Sequence, residues 1–135
     1  MNQIIIIICI LLCLLCLYHT YLPKKHIIHG TIAKTKQQIE KGLMFRKNPL
    51  HYKTGLLFQM NYGYHSMWMK NTYIPLDVVF LNKSMKVIGF VEHTIPLSLE
   101  AIHINKPSSY VLEINAGSVN NLNIQIGDMI DFHKT

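Results

Sequence analysis

Apolar residues are distributed along the chain in two distinct ways. From Ile4 to Leu17 every position is Ile, Leu or Cys, fourteen in succession without a polar break. Beyond that, they come in short runs separated by turn formers: Gly55–Met60, Ser66–Met69, Leu76–Leu81, Met85–Val91, Tyr110–Ile114 and Ile126–Phe132. An unbroken run predicts a helix that is hydrophobic on all sides, whereas runs of about four to eight residues bounded by Gly, Pro or Asn predict strands. Ile27–Ala33, rich in β-branched side chains, predicts a first strand. Thr35-Lys36-Gln37-Gln38 has the spacing of a capping box, Ile39 and Leu43 lie four apart, and Gly42 stands near the expected end, so one short helix follows. Asn82-Lys83-Ser84 predicts a hairpin turn, and Asn115-Ala116-Gly117-Ser118 a loop or a single helical turn.

Two of the runs are apolar on both alternating faces. Val78 and Phe80 oppose Val79 and Leu81, and Ile88 and Phe90 oppose Val87 and Val91. Strands of this kind must be covered on both sides, which a single open sheet of this length does not provide. The expectation is a mostly β domain over residues 27–135, a small barrel or two-layer sandwich with one short helix, behind an N-terminal hydrophobic helix. Residues 1–26 then form a membrane anchor or signal segment, with 18–26 as its polar linker.

Ile4–Leu17 alone rises about 21 Å as a helix, short of the roughly 30 Å hydrocarbon core. Extending it through Leu22 places tyrosines near the headgroups and Lys24-Lys25 at the end, which suits a single-pass anchor contacting lipid through residues 4–22. No pair of small residues stands at signal-cleavage spacing, which favours retention; secretion after cleavage is the alternative. Asn82 heads the only N-x-S/T sequon, a glycosylation acceptor if the domain faces a glycosylating compartment.

Charge and cysteine usage narrow the classes. The whole chain carries a formal +6, but residues 27–135 hold eleven basic against seven acidic groups, a balance of +4. That is mild, and the lysines form no aromatic-interleaved stripe, so no nucleic-acid partner is expected. Cys9, Cys13 and Cys16 all lie inside the apolar run, four and three apart on one helix face, so the domain does not rest on disulfides. Eight histidines are scattered without HExxH or His-x-His spacing, and no Gly-x-Ser-x-Gly elbow occurs. Neither a metal nor a cofactor is expected.

Five segments carry a family resemblance. Gly42-Leu43-Met44-Phe45-Arg46, Gly55-Leu56-Leu57-Phe58, Trp68-Met69-Lys70-Asn71-Thr72-Tyr73-Ile74-Pro75-Leu76-Asp77, Val111-Leu112-Glu113-Ile114-Asn115-Ala116-Gly117 and Ile126-Gly127-Asp128 resemble, in order and spacing, the Domain of Unknown Function 192 family. The resemblance covers roughly residues 30–133. It implies a compact β-rich fold, often behind a signal or membrane segment, and supplies no settled activity or catalytic residues. Leu56 stands where the family usually shows Met, and Met67 where it usually shows an aromatic; both keep apolar bulk.

The candidate residues each have two readings. Asp77 begins a strand among apolar neighbours and needs donors, for which the Lys70–Tyr73 backbone, Lys70 and Arg46 are at hand. It either staples that turn or acts as a general base. Glu113 is expected to be structural, ion-paired with Arg46 or with a lysine. Trp68 is either a core anchor or, beside Lys70, Asn71 and Thr72, a flat binding platform for a saccharide or other polar small molecule. The sequence thus points to a membrane-anchored β-module that binds or scaffolds through Trp68, Lys70, Asn71 and Asp77. The alternative is a small hydrolase or lyase with Asp77 as general base and Lys70 or Arg46 stabilising negative charge.

Overall fold

The computed structural model describes residues 2–135; the side chains of Thr20 and Tyr21, and with them the expected headgroup contact of Tyr21, lie outside the description. Its elements in chain order are α1 (Gln3–Tyr21), β1 (Lys25–Ala33), α2 (Lys36–Lys41), β2 (Thr54–Gly63), β3 (Leu76–Leu81), β4 (Val87–Val91), β5 (Ser108–Asn115), α3 (Ser118–Asn121) and β6 (Met129–Lys134). Helix α1 is exposed along Ile4–Leu17. Among the described residues, no helix is long and apolar enough to cross a membrane. The expected polar linker over 18–26 shrinks to three residues, because the helix runs on to Tyr21 and β1 begins at Lys25.

The six strands form one mixed sheet in the order β4-β3-β5-β2-β1-β6. β1 runs parallel to both β2 and β6, and the remaining pairs are antiparallel. The sheet curls until its edges meet at one end. There Lys86 bridges Met129, the Val87 N–H donates to the Asp128 carbonyl (2.8 Å), and the Ile130 N–H donates to the Met85 carbonyl (2.9 Å). The result is a half-barrel, not a sandwich of two sheets. Gly30 lies opposite Gly55 with φ 151°, and a Cβ on it would stand 1.9 Å from the Gly55 carbonyl oxygen. Only glycine permits β1 and β2 to approach this closely.

Both faces of the sheet are apolar, as the doubly hydrophobic runs predict. Val79 and Leu81 point inward with Ile28, Leu57, Val87, Leu112, Ile114 and Ile130, and α3 and its following loop plug this interior with Val119 and Ile124. Val78 and Phe80 point outward with Ala33, Leu56, Phe58 and Val111. This outer layer is covered by Ile39 of α2, Leu43 and the loop residues Met67, Ile102 and Ile104.

The predicted capping box is present: Thr35 Oγ1 accepts from the Gln38 N–H (3.2 Å) while Gln38 Oε1 accepts from the Thr35 N–H (3.1 Å). The expected loop or single helical turn after Asn115 is the four-residue helix α3, about one turn long. The Ser66–Met69 run is not a full strand. It joins its neighbour only through the Met67–Ile102 bridge, where each N–H donates to the other's carbonyl at 2.8 Å.

Candidate functional site

Alternation about the Met67 bridge decides the orientation of the tryptophan. Met67 packs on the outer layer of the core and Met69 is buried, so Trp68 between them points outward and is 49% exposed. It borders three neighbouring hollows. One is a cleft of about 180 Å³ whose lining includes Leu43, Phe58, Met60, Met67, Trp68 and Glu113. A second adds Leu99 and Ala101, and a third adds Phe45, Lys70 and Asn71. The Lys70 Nζ lies 5.0 Å from the centre of the Trp68 ring, an ammonium held on an indole face.

The opposite wall of the cleft is the turn after α2. Gly42 caps that helix at φ 48°, ψ −131°, a conformation open in practice to glycine alone. A Cβ here would stand 3.3 Å from the Phe58 ring and 3.9 Å from Glu113 Oε2, so the missing side chain also leaves room above the carboxyl group. Phe45 follows at φ 65°, and its N–H donates to the carbonyl of Asn71, itself at φ 54°, at 2.8 Å. This bond latches the two walls together. Phe45 then meets Tyr73 edge to face with 6.4 Å between centroids.

Glu113 is the chemical centre of the cleft. It sits in β5 opposite Leu56 of β2 and Val78 of β3, on the outward face, and is 5% exposed. Its Oε2 is buried without a hydrogen-bond partner. Burial among apolar side chains pushes its pKa from 4.5 up to about 8, so the group is mostly protonated at neutral pH. The expected ion pair with Arg46 does not form: Arg46 turns away and donates through Nε to the Asn48 carbonyl (2.9 Å), since residues 42–46 carry it past the rim toward solvent.

Asp77 lies elsewhere. It faces the interior side of the sheet, fully buried, and its Oδ1 accepts from the His93 N–H and its Oδ2 from the Val119 N–H, both at 2.9 Å. It therefore ties the end of β4 and the start of α3 to β3. The donors expected from the Lys70–Tyr73 turn, Lys70 and Arg46 are not its partners, because β3 turns the carboxylate to the other face. Trp68, Lys70 and Asn71 are thus brought together, Asp77 is separated from them, and Glu113 joins them. The signal for Glu113 was present in the sequence as a lone acidic residue inside an apolar strand run, Val111 to Ile114.

The remaining candidates have local roles. Asn82 Oδ1 accepts from the Ser84 and Lys86 N–H groups, closing the β3–β4 hairpin. Among the described residues no three His, Cys, Asp or Glu side chains are grouped to hold a metal ion. Asp128 accepts from His26 Nε2 (2.8 Å) and from the Lys24 and Gln125 N–H groups (2.9 Å each). Burial alone would raise its pKa, but these bonds outweigh it and hold the carboxyl below its usual range.

Gly42–Phe45, Phe58, Trp68, Lys70–Thr72 and Glu113 come from four of the five sequence segments that carry the family resemblance, and they line this cleft and the hollow beside it. The family's sequence profile, described as an uncharacterised ACR, matches residues 20–132. The chain belongs to the Domain of Unknown Function 192 family. Two solved structures share its fold. A protein from Sinorhizobium meliloti 1021, described as a candidate transcription regulator, is 37% identical with a TM-score of 0.72 over 74% of this chain and 78% of its own. A protein of unknown function from Novosphingobium aromaticivorans DSM 12444 is 34% identical with a TM-score of 0.70 over 74% of this chain and 71% of its own. No curated protein matches the chain.

Proposed function

We propose that this member of the Domain of Unknown Function 192 family is a ligand-binding module held at a membrane surface, and that its ligand enters the cleft between Trp68 and Gly42. The observation that carries the reading is Glu113, a buried carboxyl group with an unpartnered oxygen in an open, largely apolar cleft. A stranded polar group of this kind costs stability and is found where a ligand completes it. The lining favours a small organic molecule with an apolar body over a saccharide, because beyond the exposed Glu40 and Lys41 only Ser66, Thr72 and Glu113 offer polar side chains to a ring of hydroxyls. The charged side chains of the cleft, Glu40 and Lys41, offset each other and form no basic patch for a polyanion, so the transcription-regulator description of the Sinorhizobium protein is not carried over. The membrane part of the reading is supported by α1, whose Ile, Leu and Cys side chains from Ile4 to Cys16 are exposed and suit contact with lipid.

Trp68 is the only tryptophan and reports the site directly. The full chain is reconstituted in lipid vesicles, and Trp68 emission is titrated with aqueous iodide before and after each compound of a metabolite panel that includes saccharides. A half-exposed indole is quenched at the outset, and a ligand of the cleft protects it. If no compound changes either emission or quenching, Trp68 covers only its own core and the ligand-binding reading fails.

A further inference from the structure

The proposed cleft leaves the chemistry of its ligand open, and its polar groups narrow it. A carboxylate only accepts hydrogen bonds, so the partner that would hold Glu113 in its ionised form is a donor. The charged groups facing the cleft are Glu113 from β5 and Glu40 and Lys41 from α2, two potential anions against one cation. Among the described residues no ion pair reaches Glu113: Lys41 makes none with it, Arg46 is engaged with the Asn48 carbonyl and Lys70 rests on the Trp68 ring. Lys70 lines the neighbouring hollow and not this cleft, whereas Trp68 lines both. Around the carboxyl group, Leu43, Phe58, Met60 and Met67 offer hydrocarbon, and about 180 Å³ suits a short chain in place of a large ring system.

Resting on the reading of the cleft as a ligand site, we propose that it takes primary alkylammonium ions, with the ammonium donating to Glu113 Oε2 and the hydrocarbon chain lying against Trp68, Met67 and Met60. A charge-assisted bond in a low-dielectric setting is about twice as strong as a neutral one, which favours a cation over a carbonyl or alcohol of equal size. The protonation balance is explicit. An ammonium ion meeting the neutral carboxylic acid displaces the acid's proton to solvent, and the complex retains one positive and one negative charge side by side.

The test uses the full chain in non-ionic detergent micelles at matched ionic strength, with n-butylammonium chloride, n-butanol and sodium butyrate as probes and Trp68 emission as readout. The amine is expected to bind at least about tenfold more tightly than the alcohol or the acid. Its affinity rises about tenfold from pH 7 to pH 9, because a group titrating near pH 8 is only about one-tenth ionised at pH 7. In weak buffer at pH 7, binding releases close to one proton per chain. Glu113→Gln abolishes both the preference and the pH dependence; should that variant misfold by circular dichroism, proton release from the unaltered chain decides alone. Equal binding of n-butanol, or amine binding without proton release, overturns the ammonium proposal and leaves the cleft standing as a ligand site. Silence of all three probes overturns it too, while the metabolite panel judges the cleft separately.

Discussion

Asp77 and Glu113 are both carboxyl groups buried in the same sheet, one residue out of register across the β3–β5 pair, where Asp77 lies opposite Ile114 and Glu113 opposite Val78. That single step sends them to opposite faces. On the interior side, Asp77 meets two backbone N–H groups at 2.9 Å, one for each carboxylate oxygen. On the outer side, Glu113 Oε2 meets none, and burial alone drives its pKa to about 8. A buried charge that is hydrogen-bonded is structure, and one that is not is a cost carried for some other reason. The comparison therefore separates a carboxyl group whose bonds hold the fold from one whose buried oxygen is left without a bond.

Three substitutions test that separation, in descending order of expected effect. Glu113 titrates near 8 in the folded chain and near 4.5 when unfolded, so between those values the folded state keeps a proton that the unfolded chain releases. Stability therefore falls as pH rises from about 4.5 to about 8 and levels off above it. Glu113→Gln removes this penalty and is expected to raise unfolding free energy at pH 8 by on the order of 3–5 kcal/mol, with little change at pH 4. Urea melts at the two pH values measure it, and equal gains at both would mean that Glu113 is paired in solution.

Asp77→Asn acts in the opposite direction. The amide keeps one acceptor but turns an N–H₂ group toward a backbone N–H, and the expected loss is about 2–4 kcal/mol. Chemical denaturation reads it, and a neutral outcome would remove Asp77 from its structural role. Gly42→Ala forces a side chain into a glycine conformation beside the Phe58 ring, at an expected cost of about 1–3 kcal/mol. Because the new methyl stands above Glu113, ligand protection of Trp68 should fall more than stability does; a loss of stability with protection intact would place the ligand elsewhere.

Much of the local architecture was legible in advance for reasons that are themselves local. The capping box at Thr35 and Gln38 needs only four residues, and the hairpin at Asn82 needs only its own side chain and the next few N–H groups. The doubly apolar runs in β3 and β4 announced two covered faces, and both are covered. The Arg46–Glu113 pair failed because opposite charge makes a pairing attractive without making it reachable: the turn after Gly42 carries the guanidinium past the rim. Trp68 was ambiguous for a similar reason. Its exposure depends on Met67 bridging Ile102, a residue 35 positions away whose partnership no local pattern reveals.

The amino-acid order by itself determined the apolar N-terminal helix, the strand and turn positions apart from Ser66–Met69, the family and the set of residue types available for chemistry, because these follow from periodicity, turn propensity and composition. Tertiary structure alone decided that the six strands curl into one half-barrel and not a sandwich, and that Asp77 is satisfied while Glu113 is not. It also decided that Gly42, Phe58, Trp68 and Glu113 share a cleft. Register across strands sets which face a side chain occupies, and long-range backbone pairing sets which loops meet. Both are properties of the assembled sheet, fixed only when distant segments come into contact.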